Sequence, residues 1–422
     1  MFETLKNAWK IKDLRNKILY TVVMLLVYRL LCFIPTPGVD TAAIASQVNR
    51  FSLLNYISVM TGSQFSNYTI MAMGITPYIN SSIIMQLLCV AIPSLEQLSK
   101  SGEDGQKKIA QITRYVTVGL AFIQAVALTI GLKGNATGSF FGLITIGFCL
   151  AAGTALAMWI GERITDKGIG NGVSMLIFAG IISRFASSIA TGCYELFHGI
   201  FHDGSFKALP GDLAIIIISL ALIVGVVAVD MAERRIPVQY AKRMVGRKMY
   251  GGQSTHIPIK LNASGVLPLI FASAIMQFPE TILQFISRNA AEWWSKNLGY
   301  TTWWYIAINC VLIFAFTFFY SSITFNPKEM AENIQNNGGL IPGIRQGRMT
   351  VEYITKINSR MTLFGAIFLA VLALLPNVIY KIANVQLAFA GSSLLIAVSV
   401  AVETARTLES QMLMRHYKGF LK

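Results

Sequence analysis

Ten uncharged or nearly uncharged apolar runs recur along this chain of 422 residues, each about as long as a bilayer is thick. They occupy residues 18–35, 68–92, 115–132, 140–161 and 173–192, then 213–229, 264–286, 303–323, 361–380 and 385–402. A helix needs roughly 20 apolar residues to cross the hydrocarbon core. Lipid offers no hydrogen bonds, so a spanning segment must satisfy its own backbone as a helix or within a closed barrel. The runs therefore predict an all-α polytopic membrane protein with ten transmembrane helices. The composition, 54% hydrophobic and only 13% charged, agrees with that class.

A formal net charge of +15 would point a soluble chain toward nucleic acid. Here the positions of the charges decide the matter. Of the 35 basic residues, 27 fall on one set of alternate loops and tails, six on the other, and Arg29 and Arg184 within runs. By the positive-inside rule both termini are expected in the cytoplasm. Residues 1–17 carry Lys6, Lys10, Lys12, Arg15 and Lys17 among Phe2, Leu5, Trp9 and Leu14. That mixture reads as an amphipathic segment on the inner leaflet, with no cleavable leader before the first span. The five cysteines lie in or at the ends of runs with no CxxC spacing, so packing is the better reading for them than metal or disulfide.

Five runs stand on each side of the outer loop 193–212, so the halves 18–192 and 213–402 enter the membrane with opposite polarity. That is the arithmetic of an inverted repeat, a plan shared by proteins that open a path between two halves. Residues 403–422 form a cytoplasmic tail. The outer segment 36–67 is only half polar, and its apolar middle is too short to span. The cytoplasmic loop 230–263 holds two strand-like pieces, 237–244 and 256–261, around Gly251-Gly252, the pattern of a hairpin finger. A second long cytoplasmic loop, 324–358, carries Gly338-Gly339, Pro342-Gly343 and two arginines near its tip. Two long basic loops can serve topology alone, but their length and turn chemistry favour a docking platform.

Missing chemistry narrows the function. The chain has no GxxxxGK[ST], HExxH or GxSxG, and GIGNG at 168–172 reads as a tight turn between runs. No cofactor or metal is called for, and no catalytic residue is assigned. Ion-coupled transporters place carboxylates near midplane. Here Glu162, Asp230 and Glu403 fall at cytoplasmic run ends, and Glu280 in an outer half. A ten-helix small-solute secondary transporter is the alternative reading, and this pattern disfavours it. The midplane offers isoleucine instead: Ile75 and Ile79 at i,i+4 spacing around Pro77, and Ile177 and Ile181 at the same spacing. Pro77, Pro268, Pro279 and Pro376 are expected to loosen four of the runs.

Several stretches together resemble one family. They are FIPTPGVD (33–40), MGITPYINSSIIMQLL (73–88), GIGNGVSMLIFAGI (168–181), YAKRMVGRKMYGGQSTHIPIKLNASGVLPLIFASAI (240–275), GGLIPGIRQGRMT (338–350) and AGSSLLIAVSV (390–400). They occur in the order found in SecY, the channel subunit of the bacterial protein-conducting translocon. The resemblance implies two pseudo-symmetric five-helix halves around a central hourglass pore. It implies a pore ring of Ile75, Ile79, Ile177, Ile181, Ile270 and Ile396. A plug at about 53–64 would include Leu53, Leu54, Tyr56, Ile57, Val59 and Met60. A lateral gate between the second and seventh spans would have Gln86 and Gln277 on its helices. Arg243, Arg247, Lys248 and Arg345 would serve docking. The implied partners are SecE and SecG-type small membrane subunits, the SecA ATPase, the translating ribosome, an unfolded polypeptide with a signal sequence, and the lipid bilayer. The implied location is the bacterial plasma membrane.

Overall fold

The computed structural model describes residues 9–39, 68–131, 140–183, 209–240, 243–245, 248–250, 254–262, 265–286, 293–294, 297–299, 302–383 and 391–419. Helix dominates, and each of the ten apolar runs carries one. In chain order these are α1 (Lys12–Leu31), α2 (Thr76–Ala91), a short α3 (Pro93–Lys100), α4 (Glu103–Gly131), α5 (Phe140–Lys167) and α6 (Gly172–Ser183). Then come α7 (Leu209–Met231), α8 (Leu267–Ile286), α9 (Trp303–Thr324), α10 (Pro327–Asn336), α11 (Arg348–Ala383) and α12 (Gly391–Gly419). Among the described residues four helical stretches are long and apolar enough to cross a membrane, five if the bent pair α2–α3 is taken as one.

The sequence ends these helices where elementary rules place the breaks. Pro93 follows Ile92, whose backbone is extended, and the chain turns through 103° between α2 and α3. Gly102, at φ +83°, precedes α4, whose first turn carries Glu103 and Asp104 against the positive end of the helix dipole. Asn326 caps α10 by accepting from the Glu329 N–H at 3.4 Å, with Pro327 at the first helical position. Pro77 lies in the first turn of α2 and Pro268 is the second residue of α8. Neither position needs an N–H for the helix ladder, so these two prolines start helices and do not kink them. Pro279 lies inside α8, and Pro376 lies within the bounds of α11.

The chain divides into two compact units, one of residues 1–212, 274–305 and 396–422, the other of 213–273 and 306–395. In the first, α4 packs along α5, and the Arg114 guanidinium meets Glu162 at 2.6 Å between them. One apolar cluster joins Tyr68, Ala72, Met73, Ala125, Leu128, Ile146 and Leu150. Small residues bring backbones together, as in many membrane bundles. A Cβ on Gly153 would collide with the Ile70 carbonyl, and one on Gly172 with the Gly161 carbonyl. The GIGNG segment is the tight turn its sequence predicts. Gly170 takes φ +71°, and the Asn171 side chain accepts from the Val173 N–H at 3.0 Å to open α6.

Two boundaries differ from the sequence reading. Helix α1 starts at Lys12, inside the basic segment. The run 68–92 is helical only from Thr76; residues 68–75 form successive turns. A bridge pairs Pro35 with Thr69 there, a tertiary contact that no local pattern in the run announces.

The second unit holds the strands. Strand β1 (Glu233–Tyr240) runs antiparallel to β4 (Ser254–Lys260), with Glu233 opposite Lys260 and Gln239 opposite Ser254. Between them β2 (Arg243–Val245) pairs with β3 (Lys248–Tyr250). The hairpin finger is therefore present, starting at Glu233 instead of residue 237. The other long loop contributes β5 (Gly339–Leu340), which pairs with β1 through Gln239 and Tyr240, so the sheet order is β4-β1-β5.

Candidate functional site

Isoleucine on the membrane helices comes first. Ile75 is the residue before α2, and its carbonyl accepts from the Ile79 N–H at 3.1 Å, which keeps both side chains one turn apart on one face. Ile75 lies in an apolar cluster with Tyr28, Cys32, Met71, Ala157, Ile160, Ile164 and Leu176, against which Ile79 and Ile177 pack. The structure thus brings three of the six ring candidates together, from α2 and α6. Ile181 and Ile396 are buried in the first unit but are not part of this cluster among the described residues. Ile270 is half-buried near the start of α8, in the second unit. At Cys32 the cluster borders Arg29, and at Tyr78 it borders the Arg114–Glu162 pair.

Of the gate candidates, Gln86 is exposed on α2, and Gln277 lies on α8 with its side chain outside the described residues. The plug candidates Leu53, Leu54, Tyr56, Ile57, Val59 and Met60 all fall outside the described residues, as does Arg247. Arg243 opens β2 and Lys248 opens β3, described in backbone alone.

Arg345 stands exposed in the turn between β5 and α11, without an ion pair among the described residues. That turn is held from several sides. Thr350 Oγ1 donates to the Arg345 carbonyl at 3.0 Å, and Gln346 Nε2 donates to the Gly339 carbonyl at 3.0 Å. Gly343 and Gly347 take φ +83° and +90°, conformations costly for any side chain with a Cβ. Beneath the turn both long loops share one apolar core: Ile236, Val238 and Ile259 from the finger, and Ala331, Ile334, Ile341 and Ile354 from the second loop. Sequence reading expected two long loops here and favoured a docking platform. They are one folded body, and the alternation of Ile236 with Val238 and of Ile257 with Ile259 was the available signal for it.

A polytopic helical bundle with an aliphatic cluster and a folded body built from two long loops has the parts of a conduit. The fold is that of protein-conducting channels. A solved protein-conducting channel superposes with a TM-score of 0.68 over 94% of this chain and 92% of its own, at 18% identity. Sec61 from the canine ribosome–channel complex of the endoplasmic reticulum does so at 0.62, over 94% and 92%, at 16% identity. A SecY family model matches residues 69–405. The protein translocase subunit SecY of Halalkalibacterium halodurans is 43% identical over the full length of both chains, and that of Bacillus subtilis also 43%. The SecY of Thermotoga maritima is 40% identical over all of this chain and 98% of its own. The chain belongs to the SecY family. It is a subunit of a protein-conducting translocon channel and not an enzyme, and the solute-transporter alternative falls with that membership.

Proposed function

We propose that this channel passes unfolded secretory polypeptides across the bacterial plasma membrane and releases membrane-spanning segments sideways into lipid, with both termini in the cytoplasm. Ile75, Ile79, Ile177, Ile181, Ile270 and Ile396 form its constriction. An aliphatic collar offers no hydrogen bond to water or ions, so it dewets when empty, and it yields around a passing chain without holding it. Residues 53–64 plug the outer side at rest, and the second and seventh spans part as the lateral gate, with Gln86 and Gln277 on them. SecE and SecG-type subunits brace the bundle, and SecA or a translating ribosome drives the substrate.

The observation that carries this reading is the gathering of Ile75, Ile79 and Ile177 into one apolar cluster. Support for docking comes from Arg345 displayed on a rigid turn above a shared core. A ribosome is seen with related channels, Sec61 in the canine complex and the yeast Ssh1 complex on the 80S particle.

The deciding experiment is protease protection of a secretory precursor in proteoliposomes containing this chain and its small subunits. Protection that requires both SecA and ATP is the expected result. An unprotected precursor, with the partners shown to be folded and bound, would overturn the conduit reading.

A further inference from the structure

Residues 68–75 are an oddity of the first unit: a non-helical segment, buried at every position except Ile70, that leads directly into Ile75. Irregular backbone inside a membrane bundle survives only where protein satisfies its polar groups. Local turns do part of that, with the Ala72 and Gly74 N–H groups donating to the Thr69 and Met71 carbonyls, each at 2.8 Å. Strand-like contacts do more. The Tyr68 carbonyl accepts from the Thr36 N–H at 3.1 Å, and the Ile70 N–H donates to the Ile34 carbonyl at 3.0 Å.

Tyr68 itself is the outlier. It is the only non-glycine residue at positive φ among the described residues, at +44°. A bulky side chain disfavours that conformation, which persists where the surroundings over-determine it. Here they do: the ring is wholly buried between α4 and α5, and its hydroxyl shares a 2.8 Å hydrogen bond with Thr129 Oγ1 on α4. Seven residues later stands Ile75, and no helix intervenes to set its height.

We infer that Tyr68, clamped by Thr129, is the positioning residue that fixes the height and direction of Ile75 and Ile79 in the collar. This rests on the collar reading given above. With the anchor intact the constriction stays registered and the resting channel stays sealed. With it loosened, the lead-in relaxes and the collar mis-registers, while helices α4 and α5 remain packed.

Tyr68→Phe and Thr129→Val are the variants, tested in the full chain purified with its co-purifying subunits and fused into planar bilayers. Phe keeps the ring, and Thr129 keeps its 2.7 Å bond to the Ala125 carbonyl, so no buried hydroxyl on α4 is orphaned by that change. Resting ion conductance should rise about fivefold in each single variant, the population shift expected from losing one buried hydrogen bond. The double variant should leak no more than either single, because both break the same bond. General loosening of the bundle gives additive leaks instead, and that outcome overturns the inference. Ile181→Asn is measured beside them. If it leaks and Tyr68→Phe stays sealed, the anchor is wrong and the collar stands. If Ile181→Asn and Ile79→Asn both stay sealed, the collar fails and takes the anchor with it.

Discussion

A hydroxyl on a membrane helix gains from an acceptor, and six threonines of this chain find one on their own backbone. Thr113, Thr117, Thr129, Thr154, Thr317 and Thr404 each donate to the carbonyl four residues earlier, at 2.6 to 3.3 Å. Polar groups so engaged present little to a passing segment. Where hydroxyls do pair between helices, they lock: Ser321 Oγ and Thr362 Oγ1 lie 2.8 Å apart between α9 and α11, with Asn358 Nδ2 donating to Ser321 at 3.1 Å. Isoleucine at the collar is the opposite case, since it has nothing to offer a wire of water. Substituting Ile181→Asn introduces a donor and an acceptor at a buried position. Planar-bilayer recording should then show a raised resting ion current, by about tenfold if the amide stabilises the wetted state by one good hydrogen bond. An unchanged current counts against the collar.

At the scale of elements, the most consequential joint is the one between the two long loops. Ile354, at the start of α11, is completely buried among strand residues of the finger and the helix α10. Truncating it to Ala should cost about 2–5 kcal/mol of local stability. Limited trypsin digestion of the purified complex should then cut both long loops faster, and together. Cleavage of one loop alone would mean that they fold separately. Arg345→Glu leaves that core untouched and reverses a charge on the exposed turn. SecA-stimulated or ribosome-bound translocation should drop several-fold in that variant, with trypsin resistance as in the parent; parental affinity and rate would remove Arg345 from docking. Element positions were largely legible in the sequence, because a 20-residue apolar run has one outcome in lipid. Turn chemistry was legible too, in GIGNG. The pairing of Gln239 with Leu340 was not, since about a hundred residues separate them and neither period nor composition encodes the partner. Nor was the turn-rich segment 68–75 legible. Its residues are as apolar as a helix's, and tertiary contacts to Ile34, Pro35, Thr36 and Thr129 help hold it otherwise.

For the whole molecule, family membership was readable because six long motifs keep their order across the chain, and five of them fall within the matched residues 69–405. Of the six isoleucines in the proposed ring, spacing on a single helix places Ile75 with Ile79, but which helices converge is a property of packing. Orientation is a separate matter, set by the uneven placement of lysine and arginine. A single cysteine replacing Arg415 in the tail, in a chain whose native cysteines are changed to serine or alanine, should react with an impermeant maleimide only after the inner face is exposed. Labelling in intact cells would invert the topology. One feature of the second unit carries further than docking. From Arg348 to Leu375 helix α11 runs without a proline, about 42 Å at 1.5 Å per residue, well beyond the thickness of the hydrocarbon layer. Its first turns sit in the core shared by the two long loops, and Thr362 further along is tied to α9. Such a helix is a lever shared by both: a push on the body is carried along α11 toward Thr362 and α9, with no proline between them to bend it.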